Sequence, residues 1–457
     1  MEYRIEHDSM GEVKVPADRL WGAQTERSRM NFPIGVGRET MPREIIHAFG
    51  ILKQAAALAN RELRPDKMTE AKCAAIVSAA QEVASGALDG HFPLVTYQTG
   101  SGTQSNMNAN EVIANRASLV SGLKLHPNDD VNMSQSSNDT FPTAMHIAAR
   151  LMLEDSLLPA VRGLVKTMKR LEAENADVIK SGRTHLQDAT PIRFSQEISG
   201  WRASLERGAE LVEGSLAPLS ELALGGTAVG TGLNAPKGFD ELVALKISDI
   251  TGKKFVTAPN KFHSLTSKSE LVAAHGAVKA LACDMMKIAN DVRFLASGPR
   301  CGLGEITIPE NEPGSSIMPG KVNPTQCEQV TMVAARVMGN DTVVGFAASQ
   351  GNFELNVFMP VMIEAFLQSV RLLSESIRSF DLRCASGIRA DHERMGEYMR
   401  RSLMLVTALS PHIGYENAAR VAHTAHETGV TLRSAAVSLG FLAPEEFDAI
   451  VDPEKLV

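Results

Sequence analysis

Apolar residues recur at helical spacing along most of the chain. In the first third, Ile46, Phe49, Leu52, Ala56 and Leu58 mark one face of an amphipathic helix. Longer stripes of the same kind fill the middle of the chain and predict helices that are buried along one face. The pattern predicts helices at 44–61, 69–86, 110–120, 137–180, 192–224, 268–296, 325–345, 355–380 and 415–427.

The middle helices are unusually long. A helix of about 30 residues spans about 45 Å, which is longer than a compact domain needs. Such helices usually bury their extra apolar surface in a bundle, often between subunits. Pro159 lies inside the first of them and should kink or interrupt it. We therefore expect a mainly α fold with a central bundle of long helices.

Length and composition bound the organisation of the chain. The 457 residues suffice for about three domains at roughly 150 residues each. Changes in the pattern divide the chain into a mixed, mostly helical region at 1–135, the long-helix region at 136–388 and a small helical region at 389–457. Aromatic residues make up only 5% of the chain, so the core must be aliphatic.

Charge and cysteine usage argue against several classes of protein. The chain carries 46 Lys and Arg against 53 Asp and Glu, and this net charge of −7 disfavours a nucleic-acid or anionic-membrane partner. The five cysteines lie far apart without a CxxC pair, which disfavours a zinc ribbon or a redox dithiol. No stretch approaches the roughly 18 apolar residues of a membrane helix, and the first residues lack the apolar core of a secretion signal. We expect a cytoplasmic protein.

Three short motifs have ordinary explanations. The glycines at 225–232 lack both a preceding strand and the spacing of a dinucleotide-binding loop. The segment 314–321 resembles a P-loop, but its glycines are one residue too far apart and Val322 replaces the Ser or Thr that would hold magnesium. His423 and His426 could share a metal, but an ordinary helical face explains their spacing better. We expect no metal and no organic cofactor.

Five polar stretches are not explained by helical periodicity. These stretches are dense in Ser, Thr, Asn, His and Lys, and most of them lie beside a predicted helix end. Any one of them could serve as capping and turn chemistry. Together they offer many neutral donors and a few cations, which suits a small polyanion held at helix N-termini. The stretches are 100–106, 126–129, 134–139, 182–188 and 314–324.

The last of these stretches is recognisable. Residues 314–324 read GSSIMPGKVNP and meet every fixed letter of the GSSxMPxKxNP pattern of the fumarase/aspartase superfamily. The other stretches resemble the same superfamily in the same order, over essentially the whole chain. Within it the chain is most similar to the iron-independent class II fumarases, because His185, Ser137 and Gly320 stand where aspartases typically carry Gln, Thr and Ala.

The resemblance implies a reaction and a set of catalytic residues. The reaction is the reversible anti elimination of water from (S)-malate to give fumarate, a step of the tricarboxylic acid cycle, through an aci-carboxylate intermediate. Ser315 matches the base that takes the carbon proton, although the residues alone do not choose between Ser315 and its neighbour. Lys321 matches the cation that stabilises the intermediate. His185 matches the acid that protonates the departing hydroxyl through a water, and Glu328 matches its carboxylate partner.

The resemblance also implies two binding sites and an assembly. The substrate would be held by hydroxyl and amide donors at Ser101, Thr103, Ser136, Ser137, Asn138, Thr184, Ser316 and Asn323. A second dicarboxylate site would use His126, Asn128 and Asp129, and the stretch before it offers only Lys124 as a cation. In the superfamily each active site combines residues from three subunits of a homotetramer, so we expect this assembly here.

Two alternatives remain open at this point. One is an ammonia-lyase that acts on aspartate, or another lyase of the superfamily. The other is a structural protein that kept the fold without catalysis. His185 argues against the first, and the joint presence of Ser315, His185, Lys321 and Glu328 argues against the second.

Overall fold

The computed structural model describes residues 2–457 and confirms a mainly α fold with long helices. The described chain forms two compact units, each built from separate stretches of sequence. The first unit comprises residues up to 159 together with 210–282 and 333–374. The second unit comprises 160–209, 283–332 and 375–457.

The helices follow the apolar pattern closely, and the predicted and observed ends of the long ones mostly agree within a few residues. They are α1 Ala23–Asn31, α2 Arg43–Leu63, α3 Glu70–Ala84, α4 Thr103–Ser121, α5 Ser137–Met152, α6 Leu158–Glu174, α7 Phe194–Gly214, α8 Phe239–Thr251, α9 Lys261–Thr266, α10 Ser269–Leu295, α11 Thr325–Ala348, α12 Met359–Arg383, α13 His392–Arg401, α14 Ser410–Ile413, α15 Tyr415–Thr428, α16 Leu432–Ser438 and α17 Pro444–Ile450.

Strands among the described residues form four two-stranded sheets. The pairs β1–β2, β3–β4 and β7–β8 are antiparallel, and β5–β6 is parallel. The strands are β1 Tyr3–Asp8, β2 Gly11–Pro16, β3 Ile179–Thr184, β4 Gln187–Arg193, β5 Glu221–Leu222, β6 Val256–Thr257, β7 Ile306–Thr307 and β8 Arg389–Ala390.

Three predicted boundaries were wrong, and each error has a physical reason. Helix α4 begins at Thr103 rather than near residue 110, because its first turns carry polar residues that are buried instead of exposed. The helix predicted to reach residue 180 ends at Glu174, and a β-hairpin follows it. The helix predicted for 192–224 ends at Gly214, so the apolar residues beyond it belong to a short 3₁₀ turn and β5.

The interruption predicted around Pro159 is confirmed. Helix α5 passes into a π-helical turn at Leu153–Leu157, and α6 follows directly. Proline has no backbone N–H to donate and crowds the preceding turn, so a local change of hydrogen-bonding register beside it is expected. The chain therefore stays helical through this region with one irregular turn.

The core of the first unit is aliphatic with a few aromatic contacts. The stripe predicted for α2 is buried, and the Phe49 ring of α2 lies 6.0 Å from the Phe141 ring of α5. Helices α2 and α3 approach so closely that a side chain at Gly50 would collide with the backbone of Ala84. This packing holds the N-terminal ends of α4 and α5 in fixed positions.

The second unit has its own apolar cluster near the C-terminus. Leu409, Val421 and Ala435 are fully buried in it, and Ile179 of β3 packs against it. The cluster therefore supports the hairpin formed by β3 and β4.

Candidate active site

The β3–β4 hairpin presents His185 at its tip. Thr184 pairs with Gln187 across the hairpin, so His185 and Leu186 form a two-residue turn. Their φ angles are 55° and 61°, which matches the type I′ turn that suits the twist of a hairpin. Positive φ is costly for residues other than glycine and is concentrated at functional sites. Both side chains and that of Thr184 are exposed.

The segment 314–323 is an exposed loop closed by its own hydrogen bonds. Gly314 N–H donates to the Lys321 carbonyl at 2.7 Å, and the Asn323 amide donates to the Gly314 carbonyl at 2.8 Å. A Cβ at Gly314 would lie 2.8 Å from the Lys321 carbonyl oxygen, so this closure requires glycine. The Lys321 ammonium donates to Asn323 Oδ1, which brings these two predicted site residues into contact.

The two serines of this loop differ in their surroundings. Ser315 Oγ accepts hydrogen bonds from the backbone N–H groups of Met318 at 3.0 Å and Ile317 at 3.3 Å. Ser316 is exposed, and its hydroxyl has no hydrogen-bond partner within residues 2–457. Two N–H donors stabilise negative charge on an oxygen. The loop therefore directs two donors at the hydroxyl oxygen of Ser315 and none at that of Ser316.

Glu328 lies in the first turn of α11, directly after the loop. Its side chain is exposed, like that of His185. Within the described chain neither side chain has a hydrogen bond or ion pair with another residue. The pairing of His185 with Glu328 is therefore not made within one chain, and it stays a prediction.

In the first unit, Ser101 and Thr103 lie together at the start of α4. Their hydroxyl oxygens are 2.8 Å apart, and Thr103 is the first residue of the helix. Gly102 between them has φ 74°, and a Cβ there would lie 2.1 Å from the Phe141 ring. Only glycine fits between these two residues.

The N-terminus of α5 carries the next three predicted donors. Ser136 caps the helix, and its N–H donates to Asp139 Oδ1 at 2.9 Å, which completes a capping box. Asp139 Oδ2 accepts the N–H groups of Gly225 at 3.0 Å and Thr227 at 2.8 Å. These bonds attach the glycine-rich 225–232 segment, which the sequence left without a function, to the end of α5.

A buried lysine that the sequence analysis missed lies beneath this end. Lys53 donates to Asn106 Oδ1 at 2.8 Å, Gln135 Oε1 at 2.9 Å and Asn132 Oδ1 at 3.0 Å. Asn106 in turn donates to the Ser137 hydroxyl at 3.1 Å. The sequence position of Lys53 could have revealed its burial, because it lies four residues after Phe49 on the apolar face of α2.

Burial shifts both ionisable groups of this network. It lowers the pKa of Lys53 to about 7, although the nearby Asp139 favours the charged lysine. It raises the pKa of Asp139 to about 6, against the three backbone N–H groups that stabilise its carboxylate. The end of α5 thus rests on two buried ionisable groups that favour each other's charged form through space, without a direct bond between them.

Comparison with known proteins identifies the family. The sequence matches the lyase family over residues 11–339 and the fumarase C C-terminal family over residues 405–457. It is 61% identical to fumarate hydratase class II of Bacillus cereus and 58% identical to that of Helicobacter pylori, covering 100% of this chain and 99% of each relative. The chain belongs to the class II fumarate hydratase family. It is a family of hydro-lyases.

Solved structures agree with this assignment. The crystal structure of class II fumarase from Schistosoma mansoni superposes with a TM-score of 0.97 at 42% identity, over 100% of this chain and 99% of that one. The resemblance read from the GSSIMPGKVNP segment is therefore confirmed, as is the fold that it implied.

Two of the three residues predicted for the second site, Asn128 and Asp129, line a cavity of the first unit. His126 caps a π-helical turn at Pro127–Val131, and its Nδ1 accepts the Asp129 N–H at 3.2 Å. The cavity has a volume of about 970 Å³ and is lined by Asn128 and Asp129 as well as by Ser136 and Ser137. It therefore connects the second site with two donors of the predicted substrate site.

The sequence analysis found only Lys124 as a cation near the second site, but the cavity is lined by other cations. Its cations come from α3 and from the segment after α2, and they face three carboxylates, so the lining is formally neutral. Lys72 Nζ lies 2.6 Å from Asp130 Oδ1, and Arg64 Nε lies 3.3 Å from Asp66 Oδ1. The charged lining residues are Arg64, Lys67, Lys72, Asp66, Asp129 and Asp130.

Within residues 2–457, no group of three or more His, Cys, Asp or Glu side chains is placed to hold a metal ion. Over the same residues, no helix combines the length and the apolar character needed to cross a membrane.

Proposed function

We propose that the protein catalyses the reversible anti hydration of fumarate to (S)-malate in the tricarboxylic acid cycle. The observation that carries this proposal is the loop 314–323, in a chain of the class II family. It holds a serine hydroxyl on two backbone N–H donors and a lysine on an asparagine side chain. Removal of a proton from carbon beside a carboxylate needs a base and a fixed positive charge, and this loop supplies both.

Ser315 is the base in this proposal. A serine hydroxyl is a weak base at its free pKa and must be activated. The N–H groups of Ile317 and Met318 point at its Oγ and would stabilise the alkoxide form. This contact supports Ser315 over Ser316, a choice that the residue types alone left open.

Lys321 and Asn323 stabilise the aci-carboxylate that forms when the proton leaves. The extra negative charge develops on the carboxylate oxygens, where preorganised donors are most effective. Lys321 is already oriented by its bond to Asn323, and Asn323 is fixed by its bond to Gly314. Little reorganisation is then needed when the charge appears.

His185 protonates the departing hydroxyl through a water, with Glu328 as its carboxylate partner. Both side chains are exposed and unpaired within residues 2–457. We propose that they meet across subunits of a homotetramer, in which each site combines residues from three chains. The long helices support this assembly, because their apolar surface requires a bundle.

The substrate carboxylates are held by the ends of α4 and α5 together with the loop and the hairpin. Ser101 and Thr103 present paired hydroxyls at the start of α4. Ser136 and Ser137 present hydroxyls and Asn138 presents an amide at the start of α5, where the helix dipole and the buried Lys53 favour an anion. Thr184, Ser316 and Asn323 complete the set proposed for the substrate.

Three further proposals accompany the reaction. The enzyme is cytoplasmic and works without a metal or organic cofactor. It has no nucleic-acid or membrane partner. A second dicarboxylate binds at His126, Asn128 and Asp129. The division at residues 135 and 388 stays a prediction.

One experiment tests the reaction. The purified full-length chain is given (S)-malate or L-aspartate separately, with a chelator present, and fumarate is followed by its ultraviolet absorption. Turnover of malate alone supports the proposal. Turnover of aspartate alone would replace it with the ammonia-lyase alternative. Silence with both would point to another lyase of the superfamily or to the structural protein. Loss of activity with chelator, restored by iron, would contradict the metal-free proposal.

A further inference from the structure

A buried cluster of four charges lies behind the hairpin that carries His185. Lys180 and Arg183 belong to β3, Glu197 belongs to α7, and Glu305 lies just before β7. Glu305 is 0% exposed and Lys180 is 1% exposed. The cluster contains two positive and two negative side chains, so its formal charge is zero.

Glu305 is the centre of this cluster. Its two carboxylate oxygens accept from the guanidinium of Arg183 at 2.8 and 2.9 Å, as a bidentate pair. Lys180 Nζ lies 3.3 Å from Glu305 Oε2 and 2.9 Å from Glu197 Oε2. Burial opposes the charge on Arg183, but the bonds to Glu305 outweigh it and raise the pKa of the guanidinium. Such a pair fixes both distance and orientation.

The backbone of Glu305 is anchored as firmly as its side chain. Its N–H donates to the Leu295 carbonyl at 2.9 Å, and its carbonyl accepts the Asp391 N–H at 2.8 Å. The next residues form β7, which pairs with β8. Ser315 follows Glu305 by only ten residues. Glu305 therefore stands at the root of the segment that leads to the Ser315 loop.

Tyr398 of α13 covers the cluster from the C-terminal side. Its ring lies 5.9 Å from the guanidinium carbon of Arg183 and 4.7 Å from that of Arg394. Its hydroxyl donates to the Gly302 carbonyl at 3.2 Å, three residues before Glu305. The C-terminal region thus holds both the hairpin and the segment before the loop.

We propose that Glu305, through Arg183 and Lys180 and supported by Tyr398, is a positioning residue that holds both the His185 turn and the root of the Ser315 loop of each chain in place, so that each enters its shared site in a fixed position. The inference rests on the proposed function, because it assigns Glu305 an effect on turnover. Its physical basis is that acid–base groups must be held in a narrow geometry, and an error of about 1 Å can cost roughly 10²-fold in rate.

Replacement of one carboxylate oxygen of Glu305 by an amide nitrogen tests the proposal. Glu305→Gln keeps the volume but removes the charge that Arg183 and Lys180 share. We expect kcat for malate to fall by roughly 10- to 100-fold. KM should change less, because the donors of α4 and α5 are untouched and only those on the hairpin and the loop are displaced. Glu305→Asp keeps the charge and should recover part of the lost kcat. Melting temperature and sedimentation are measured on the same samples.

A second variant and a control keep the test decisive. Tyr398→Leu removes the covering ring and its hydroxyl bond to Gly302 but leaves the four charges in place. It should lower kcat several-fold, so it decides the question if the first variant does not fold. Glu172→Gln breaks an Arg–Glu contact of the same unit, 2.7 Å from Arg202 Nε, and should leave kcat unchanged.

The outcomes separate this inference from the proposed function. If the parent enzyme turns over malate and the folded variants keep its kcat with only a lower melting temperature, the cluster is merely structural and the inference is overturned. If the parent enzyme does not turn over malate, the proposed function fails first.

Discussion

The end of α5 and the loop 314–323 offer similar chemical groups but are held in different ways. Ser136, Ser137 and Asn138 rest on a buried network with a lysine bonded to three amide oxygens, a capping box and contacts to the 225–232 segment. The loop is exposed, and its hydrogen bonds join residues of the loop itself. We infer that the proposed donors at the end of α5 are preorganised, whereas the loop that carries the proposed base can move.

The glycines of the two regions show the same difference. Gly102 and Gly320 both have positive φ, at 74° and 80°. A Cβ at Gly102 would collide with the Phe141 ring, but a Cβ at Gly320 would meet nothing within 4 Å. One glycine serves close packing and the other serves backbone freedom, which a loop that closes over a substrate needs.

Among changes in the loop, removal of the proposed base should have the largest effect on turnover. Ser315→Ala deletes the oxygen on which two N–H groups converge, so we expect turnover to fall by roughly 10³–10⁴, near the upper end for a lost acid–base group. The assembly should stay intact, because no buried contact is removed. Steady-state kinetics with malate and sedimentation measure both effects.

The neighbouring serine provides the control. Ser316→Ala should cost less than about tenfold, the equivalent of about 1.4 kcal/mol of binding. Equal losses in the two variants would contradict the choice of Ser315, and near-normal turnover in Ser315→Ala would remove it from the mechanism.

The proposed acid should have the next largest effect. His185→Asn keeps a polar side chain at a position of positive φ that asparagine tolerates well. We expect turnover to fall by roughly 10², because a water can partly replace an acid that acts through water. An unchanged rate and pH profile would show that His185 takes no part in proton transfer.

The sequence predicted the long helices well because their apolar stripes are regular. Helix α10 was expected at 268–296 and is found at Ser269–Leu295, and α11 was expected to begin at Thr325 and does. The first hairpin, β1–β2, was not predicted, because its alternating apolar and polar positions span only six residues in each strand. Short strands give a weak periodic signal.

The site was predicted less completely than the fold. The GSSIMPGKVNP segment pointed to the loop, but the residues that hold the donors were hidden in helical patterns. Lys53 reads as one cation within an apolar helix, and Asn106 reads as part of a polar loop. Their contact depends on the packing of α2 against α4 and α5, which sequence spacing does not report.

Glycine substitutions compare the two regions directly. Gly102→Ala places a methyl group against the Phe141 ring at a positive φ and should destabilise the protein by roughly 2–4 kcal/mol. Gly320→Ala meets open space and should cost only about 1 kcal/mol, from its φ alone. Melting temperatures of the two variants measure the difference, and kcat of Gly320→Ala reports on loop motion. Equal melting temperatures would contradict the contrast between packing and freedom.

The last predicted effect concerns the buried support of α5. Lys53→Met should destabilise the protein by roughly 1–3 kcal/mol, because amide oxygens of Asn132 and Gln135 lose their donor. It should also raise KM for malate by about tenfold, or about 1.4 kcal/mol of substrate binding, because Asn106 no longer holds Ser137 in place. Lys268→Met is a matched control, since Lys268 is also buried, has a pKa lowered by burial to about 7, and donates to three backbone carbonyls away from the site residues.

The stability of the parent relative to Lys53→Met should depend on pH, and the lowered pKa of Lys53 sets the direction. The pKa of Lys53 is lowered from 10.5 to about 7 in the folded protein. Between these values the unfolded chain binds the proton and the folded chain does not, so the contribution of Lys53 to the free energy of unfolding grows as the pH rises from about 7 towards 10.5. The difference in stability between parent and Lys53→Met should therefore be larger at high pH, and Lys268→Met should show the same trend. Only Lys53→Met should raise KM, and a rise in both variants would mean that buried charge, rather than support of the α5 donors, controls substrate binding.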